Sequence, residues 1–175
     1  SMSSQYETSN GFTTLGFISV GGSGSIYTSS KGSTWTSQSS GISGSLYGIT
    51  YGNNLIVTVG SGSPGPILTS SDAKTWTSRT SGTNNSLNGV SYGNTLFVTV
   101  GNSGTILTSS DGISWASRTS GSSNDLKGTS YGNGVYVVVG NSGTILTSSN
   151  GTSWTSRTSG TSNSLYNLVY GNSTY

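Results

Sequence analysis

The stretch GNSGTILTSSDGISW, residues 101–115, returns at residues 140–154 as GNSGTILTSSNGTSW. This self-similarity constrains the chain more than any other feature. The four Trp stand at 35, 76, 115 and 154, spaced 41, 39 and 39 residues apart. Tyr-Gly-Asn triplets beginning at Tyr51, Tyr92, Tyr131 and Tyr170 keep the same three spacings. Aligning 88–126 with 127–165 gives 28 identities in 39 positions. A unit that recurs at this period buries its apolar faces against its own copies, because one such unit cannot enclose a core alone.

Each unit divides into four short β-rich runs. In the third copy they read LNGVSY, LFVTV, TILTSS and SWASRTS. The separators are rich in Gly, Asn and Asp, which supply the positive φ angles of tight hairpins. No window carries a helical period, and Ser, Thr and Gly are poor helix formers. The second run is apolar on both faces, so it is covered from both sides. A parallel β-helix has coils too short for four hairpin-linked runs. The expected fold is all-β: a β-propeller of four-stranded antiparallel blades, four per chain, forming half of an eight-bladed ring or a closed four-bladed one. Residues 1–11 read as a ragged N-terminal segment, and residues 12–175 as the propeller, with a C-terminal strand closing the ring.

Composition narrows the partners. Only 6% of the residues are charged and the net charge is +2, too little for nucleic-acid binding by electrostatics. Disorder goes with high net charge and few aromatics, whereas this chain holds four Trp and ten Tyr. There is no Cys, so neither a disulfide framework nor a thiolate metal site is available. No apolar run reaches membrane-spanning length. No cofactor and no metal are expected.

The residues also resemble a known family. SSDGISW (109–115) and SSDAKTW (70–76) are similar to Asp-box repeats, the Ser-x-Asp-x-Gly-x-Thr-Trp motif of sialidases and their relatives. The wider unit resembles photosystem II assembly factor-like bacterial propellers over about residues 12–172. The turn is one residue shorter than the standard Asp box. The resemblance implies a propeller in which the acidic residue holds its own turn and the Trp packs into the blade. Lys31, Asp72, Asp111 and Asn150 occupy the acidic position in the four copies. A general acid or metal ligand does not tolerate such exchange, whereas Asn caps a turn much as Asp does. Asp72, Asp111 and Asn150 are therefore read as structural, with Trp35, Trp76, Trp115 and Trp154 as core anchors.

No catalytic constellation emerges. There is no His, and the acids number four: Glu7, Asp72, Asp111 and Asp125. Glycoside hydrolysis needs two carboxylates converging on one bond. Arg79, Arg118 and Arg157 invite comparison with the arginine triad that the resemblance to sialidases implies. Each instead falls three residues after its Trp, on the fourth strand, where the first copy has Gln38. They read as charges that blunt an edge strand.

Function is then expected on loops. The connections GISGSLY (41–47), GTNNSLN (82–88), GSSNDLK (121–127) and GTSNSLY (160–166) vary most between copies. Tyr47, Asn84, Asn85, Asn124, Asp125, Asn163 and Tyr166 are the candidate ligand-binding residues, polar groups beside aromatic faces. The reading is a non-catalytic binding or scaffold module that presents these loops to a glycan or a protein. The alternatives are a designed or excised set of blades with no ligand, and a sialidase-like hydrolase. Strand phase adds a homodimer: the first unit opens without an inner strand, and LYNLVYGN (165–172) supplies a spare one. Exchanged between two chains, that strand completes an eight-bladed propeller and covers exposed edges.

Overall fold

The computed structural model describes residues 4–5 and 16–171. Its strands form four antiparallel four-stranded sheets, each in simple sequence order. Blade one contains β1 (Ser4–Gln5), β2 (Phe17–Val20), β3 (Ile26–Ser29) and β4 (Thr36–Gln38). Blade two contains β5 (Leu46–Gly52), β6 (Leu55–Gly60), β7 (Ile67–Ser70) and β8 (Thr77–Arg79). Blade three contains β9 (Leu87–Gly93), β10 (Leu96–Gly101), β11 (Ile106–Ser109) and β12 (Ala116–Arg118). Blade four contains β13 (Leu126–Gly132), β14 (Val135–Gly140), β15 (Ile145–Ser148) and β16 (Thr155–Arg157).

The first hairpin of blades two to four turns on Asn53–Asn54, Asn94–Thr95 and Asn133–Gly134, all with positive φ. Two consecutive positive angles match the right-handed twist of the flanking strands. First strands of successive blades run side by side, so the first strand is innermost. A Cβ built on Gly48 would lie 3.1 Å from Gly89 Cα, and one on Gly89 would lie 3.1 Å from the Lys127 carbonyl. The glycine after each inner-strand Tyr has a similar reason. A Cβ on Gly93 would sit 2.1 Å from the Tyr131 ring of the next blade.

The core lies between blades, which explains why the second strand is apolar on both faces. One cluster joins Ile18, Val20 and Ile26 of blade one to Leu46, Ile56 and Leu68 of blade two. A second joins Val57 and Val59 to Phe97 and Leu107. A third joins Val98 and Val100 to Tyr136 and Leu146. Along β6, Ile56 therefore faces backward while Val57 and Val59 face forward. Burial of such side chains contributes about 1.5–3 kcal/mol each.

Three expectations change against this structure. The inner position of blade one is not empty: β1 pairs there, Ser4 with Ile18 and Gln5 with Phe17. The rest of the proposed ragged segment, residues 1–3 and 6–11, lies outside the described residues. Trp35 is not a core anchor but is 40% exposed. Trp76, Trp115 and Trp154 each pack on a cluster shared with the preceding blade, and among the described residues no blade precedes blade one. Finally, among the described residues no strand pairing joins residues 165–171 to blade one. They lie beside β13, Leu165 N–H donating to the Gly140 carbonyl at 3.0 Å, and the Cβ of Gly128 would fall 3.1 Å from Asn167 Cα.

Candidate functional site

The turn joining third to fourth strand is held by one side-chain oxygen. Asp111 Oδ1 accepts from Ser109 Oγ (2.9 Å), Ile113 N–H (2.8 Å) and Ser114 N–H (2.9 Å). Asp72 Oδ1 accepts from Ser70 Oγ, Lys74 N–H and Thr75 N–H at 3.0, 2.8 and 2.7 Å. Asn150 Oδ1 accepts the same set, from Ser148 Oγ, Thr152 N–H and Ser153 N–H at 3.1, 2.9 and 3.0 Å. The amide oxygen thus reproduces the carboxylate's bonds. Backbone N–H donors, Thr75 first for Asp72 and Ser114 first for Asp111, lower both carboxyl pKa values from 3.8 to about 2. Each Trp closes its turn, Trp115 Nε1 donating to the Gly112 carbonyl at 3.2 Å.

The arginines stay apart, one per outer strand. Arg79, Arg118 and Arg157 each donate through Nε to a third-strand threonine, Thr69, Thr108 and Thr147, at 2.9, 2.8 and 2.9 Å. Gln38 Nε2 makes the same bond to Thr28 Oγ1 at 3.0 Å. No group of three or more His, Cys, Asp or Glu able to hold a metal occurs among the described residues.

The loop candidates separate into two settings. Asn85 and Asn124 are turned into the fold: their amides donate to Thr105 Oγ1 and Thr144 Oγ1, both at 2.9 Å. Each borders an open cleft beside the outer strands, about 540 Å³ with Arg118 and about 580 Å³ with Arg157. Asn84 and Asn163 are exposed. Asp125 bridges loops: Oδ1 accepts from Ser103 N–H at 3.0 Å, and Oδ2 pairs with Lys127 Nζ at 3.2 Å. The Ser103 N–H, more than Lys127, holds its pKa below the ordinary range.

Tyr47 and Tyr166 do come together, in a cleft of about 500 Å³ completed by Ser86, Asn88, Asn102 and Lys127. Tyr47, Asn88, Lys127 and Tyr166 are one repeat position, the residue after the inner-strand Leu, so close packing of inner strands aligns them on the loop face. Tyr47 is 50% and Tyr166 71% exposed. Asn88 is anchored through Nδ2 to Asn102 Oδ1 (2.9 Å) and the Leu126 carbonyl (2.7 Å). Sequence reasoning named the two Tyr but missed Asn88 and Lys127. Their shared register with Tyr47 was the available signal. The cleft offers aromatic faces, an amide and a cation partly neutralised by Asp125, and it lacks a base poised beside a nucleophile.

No family model matches the chain, and no curated protein matches it. Among solved structures it superposes on YCF48 bound to a D1 peptide, with TM-score 0.65 and 21% identity, covering 86% of this chain and 52% of that one. It also superposes on YCF48 from Cyanidioschyzon merolae, with TM-score 0.53 and 22% identity, covering 63% and 36%. The chain thus spans about half of the first structure and about a third of the second. Fold and comparison agree on the class: an all-β propeller with four blades in this chain.

Proposed function

We propose that the chain is a non-catalytic protein-binding propeller module whose ligand is an extended peptide segment received in the inner-strand cleft. The carrying observation is that Tyr47 and Tyr166, the two most exposed aromatic side chains among the described residues, flank Lys127 and Asn88 in one cleft. Exposed Tyr beside a single cation is a usual composition for protein recognition, because the ring buries large area at low entropic cost. The D1 peptide on the YCF48 neighbour supports the same use of this fold. The Asp-box resemblance is then a resemblance of scaffold, its Asp72, Asp111 and Asn150 occupied with their own turns.

Panning a random twelve-residue peptide library on the protein tests this, with the Tyr47→Ala, Lys127→Ala, Tyr166→Ala triple variant as counter-target. Enriched peptides should bind the parent and lose about 30-fold or more in affinity on the variant. Equal binding to both would place the site elsewhere. Selective binding on a glycan array would replace a peptide by a sugar, and turnover of a fluorogenic glycoside would make the protein an enzyme.

A further inference from the structure

Four Asn-Gly pairs occur in the chain, at Asn10–Gly11, Asn88–Gly89, Asn133–Gly134 and Asn150–Gly151. The first lies outside the described residues. Such a pair is chemically special because Gly has no Cβ to shield its backbone nitrogen from the preceding side chain. That nitrogen can attack the Asn amide carbon, which is one reason Asn is thermolabile. The fold gives the three described pairs very different settings.

Asn150 and Gly151 are restrained on both sides of the bond that would form. The Gly151 N–H donates to Ser148 Oγ at 2.8 Å, and Gly151 is buried. Asn150 Oδ1 is occupied by Ser148 Oγ, Thr152 N–H and Ser153 N–H. A Cβ on Gly151 would lie 2.5 Å from Leu96 Cδ2, so blade three closes over this turn. Asn88 and Gly89 are restrained as well. Asn88 Nδ2 donates to Asn102 Oδ1 and the Leu126 carbonyl, and Gly89 is buried in β9 opposite Val100.

Asn133 and Gly134 instead form the two-residue hairpin between β13 and β14, at φ 45° and 79°. Both are exposed. Neither the Asn133 side chain nor the Gly134 N–H has a hydrogen-bond partner among the described residues. A Cβ on Gly134 would meet nothing within 4 Å. The pair is therefore open to water and has room to rotate. In blades two and three the same hairpin Asn is followed by Asn54 and Thr95, whose Cβ atoms crowd the nitrogen. Among these three hairpins the reactive pair belongs to blade four alone.

We propose that Asn133 is a site of spontaneous deamidation selected by the fold. The Gly134 backbone nitrogen bonds to Asn133 Cγ, the Cγ–Nδ2 bond breaks, and Nδ2 leaves as ammonia with the Gly134 proton. Water then opens the cyclic imide. Cleavage at Cγ leaves aspartate at position 133, and cleavage at the main-chain carbonyl leaves isoaspartate. Either product adds one negative charge, taking the net charge from +2 to +1. Isoaspartate also inserts a methylene into the main chain of a two-residue turn, so the Gly132–Val135 pair no longer closes in the same register. Asn133 follows the far end of β13 (Leu126–Gly132) from Lys127, so the modification is independent of the peptide cleft.

The test incubates the protein folded in mildly alkaline buffer and, in parallel, unfolded in guanidinium chloride, followed by trypsin digestion and mass spectrometry. The tryptic peptide 128–157 carries Asn133 and Asn150 together, and 80–118 carries Asn88. In the folded protein Asn133 should convert about ten-fold or more faster than Asn150 or Asn88, the ratio that releasing one hydrogen bond supplies. In guanidinium the three rates should converge. Equal or faster conversion of Asn150 or Asn88 in the folded protein would overturn the proposal. So would an Asn133 that stays intact when folded but converts when unfolded, or a rate gap that persists in guanidinium.

Discussion

The Tyr136 hydroxyl in blade four donates across the blade boundary to the carbonyl of Gly93 in blade three. Ile56 and Phe97 hold the same place in blades two and three and have no such donor. Tyr136 is 1% exposed, and burial, assisted by Tyr131 and Tyr92, raises its pKa to about 12. Tyr136→Phe should keep the packing and lose the bond, leaving a carbonyl short of a donor. The expected cost is about 1–2 kcal/mol in urea titration. No loss would mean that the Gly93 carbonyl is satisfied by another donor.

Asp111→Asn should change stability by less than about 0.5 kcal/mol, because Asn150 makes the same three bonds. Asp111→Ala removes them and should cost about 1–2 kcal/mol, as for a lost cap. Trp115→Ala should cost more, about 3 kcal/mol, since the ring lies 6.3 Å from Phe97 and packs on the cluster between blades two and three. Chemical denaturation of the three variants checks the order.

Acid should weaken the fold through Asp72 and Asp111. Their pKa values fall on folding, from 3.8 to about 2. Stability from these groups is therefore present above pH 4 and is lost as pH falls through about 2. Thermal unfolding between pH 5 and pH 2 should show the decline. The Asp72→Asn, Asp111→Asn double variant should show less of it.

Thr95 sits at φ 63° in the hairpin of blade three, where blade four has Gly134 at φ 79°. A β-branched residue is strained there. Thr95→Gly should raise stability by about 0.5–1 kcal/mol, the released strain partly offset by the greater chain entropy of Gly. A lower melting temperature would show that the Thr95 hydroxyl, 2.7 Å from the Asn94 carbonyl, matters more than its backbone.

Much of this fold was legible because its information is local and written four times. The period, the four runs per unit, the Asn-led hairpins and the two-faced second strand all follow from residue type and spacing. Asp at 72 and 111 giving way to Asn at 150 pointed to a turn before any bond was measured. The cleft was only half legible. Tyr47 and Tyr166 stood out by chemistry, but Lys127 and Asn88 join them through a register that runs across blades, about 40 residues apart.

The sequence by itself determined the blade, since hairpin turns and alternating burial act over a few residues. Only the tertiary structure decided which Trp is covered. Trp35 and Trp115 share a motif, but burial depends on the neighbouring blade, and among the described residues none precedes blade one. For the same reason Val169 is exposed while Ser91 is buried. Identical local preferences give opposite environments when the partner surface is supplied by a distant copy of the repeat.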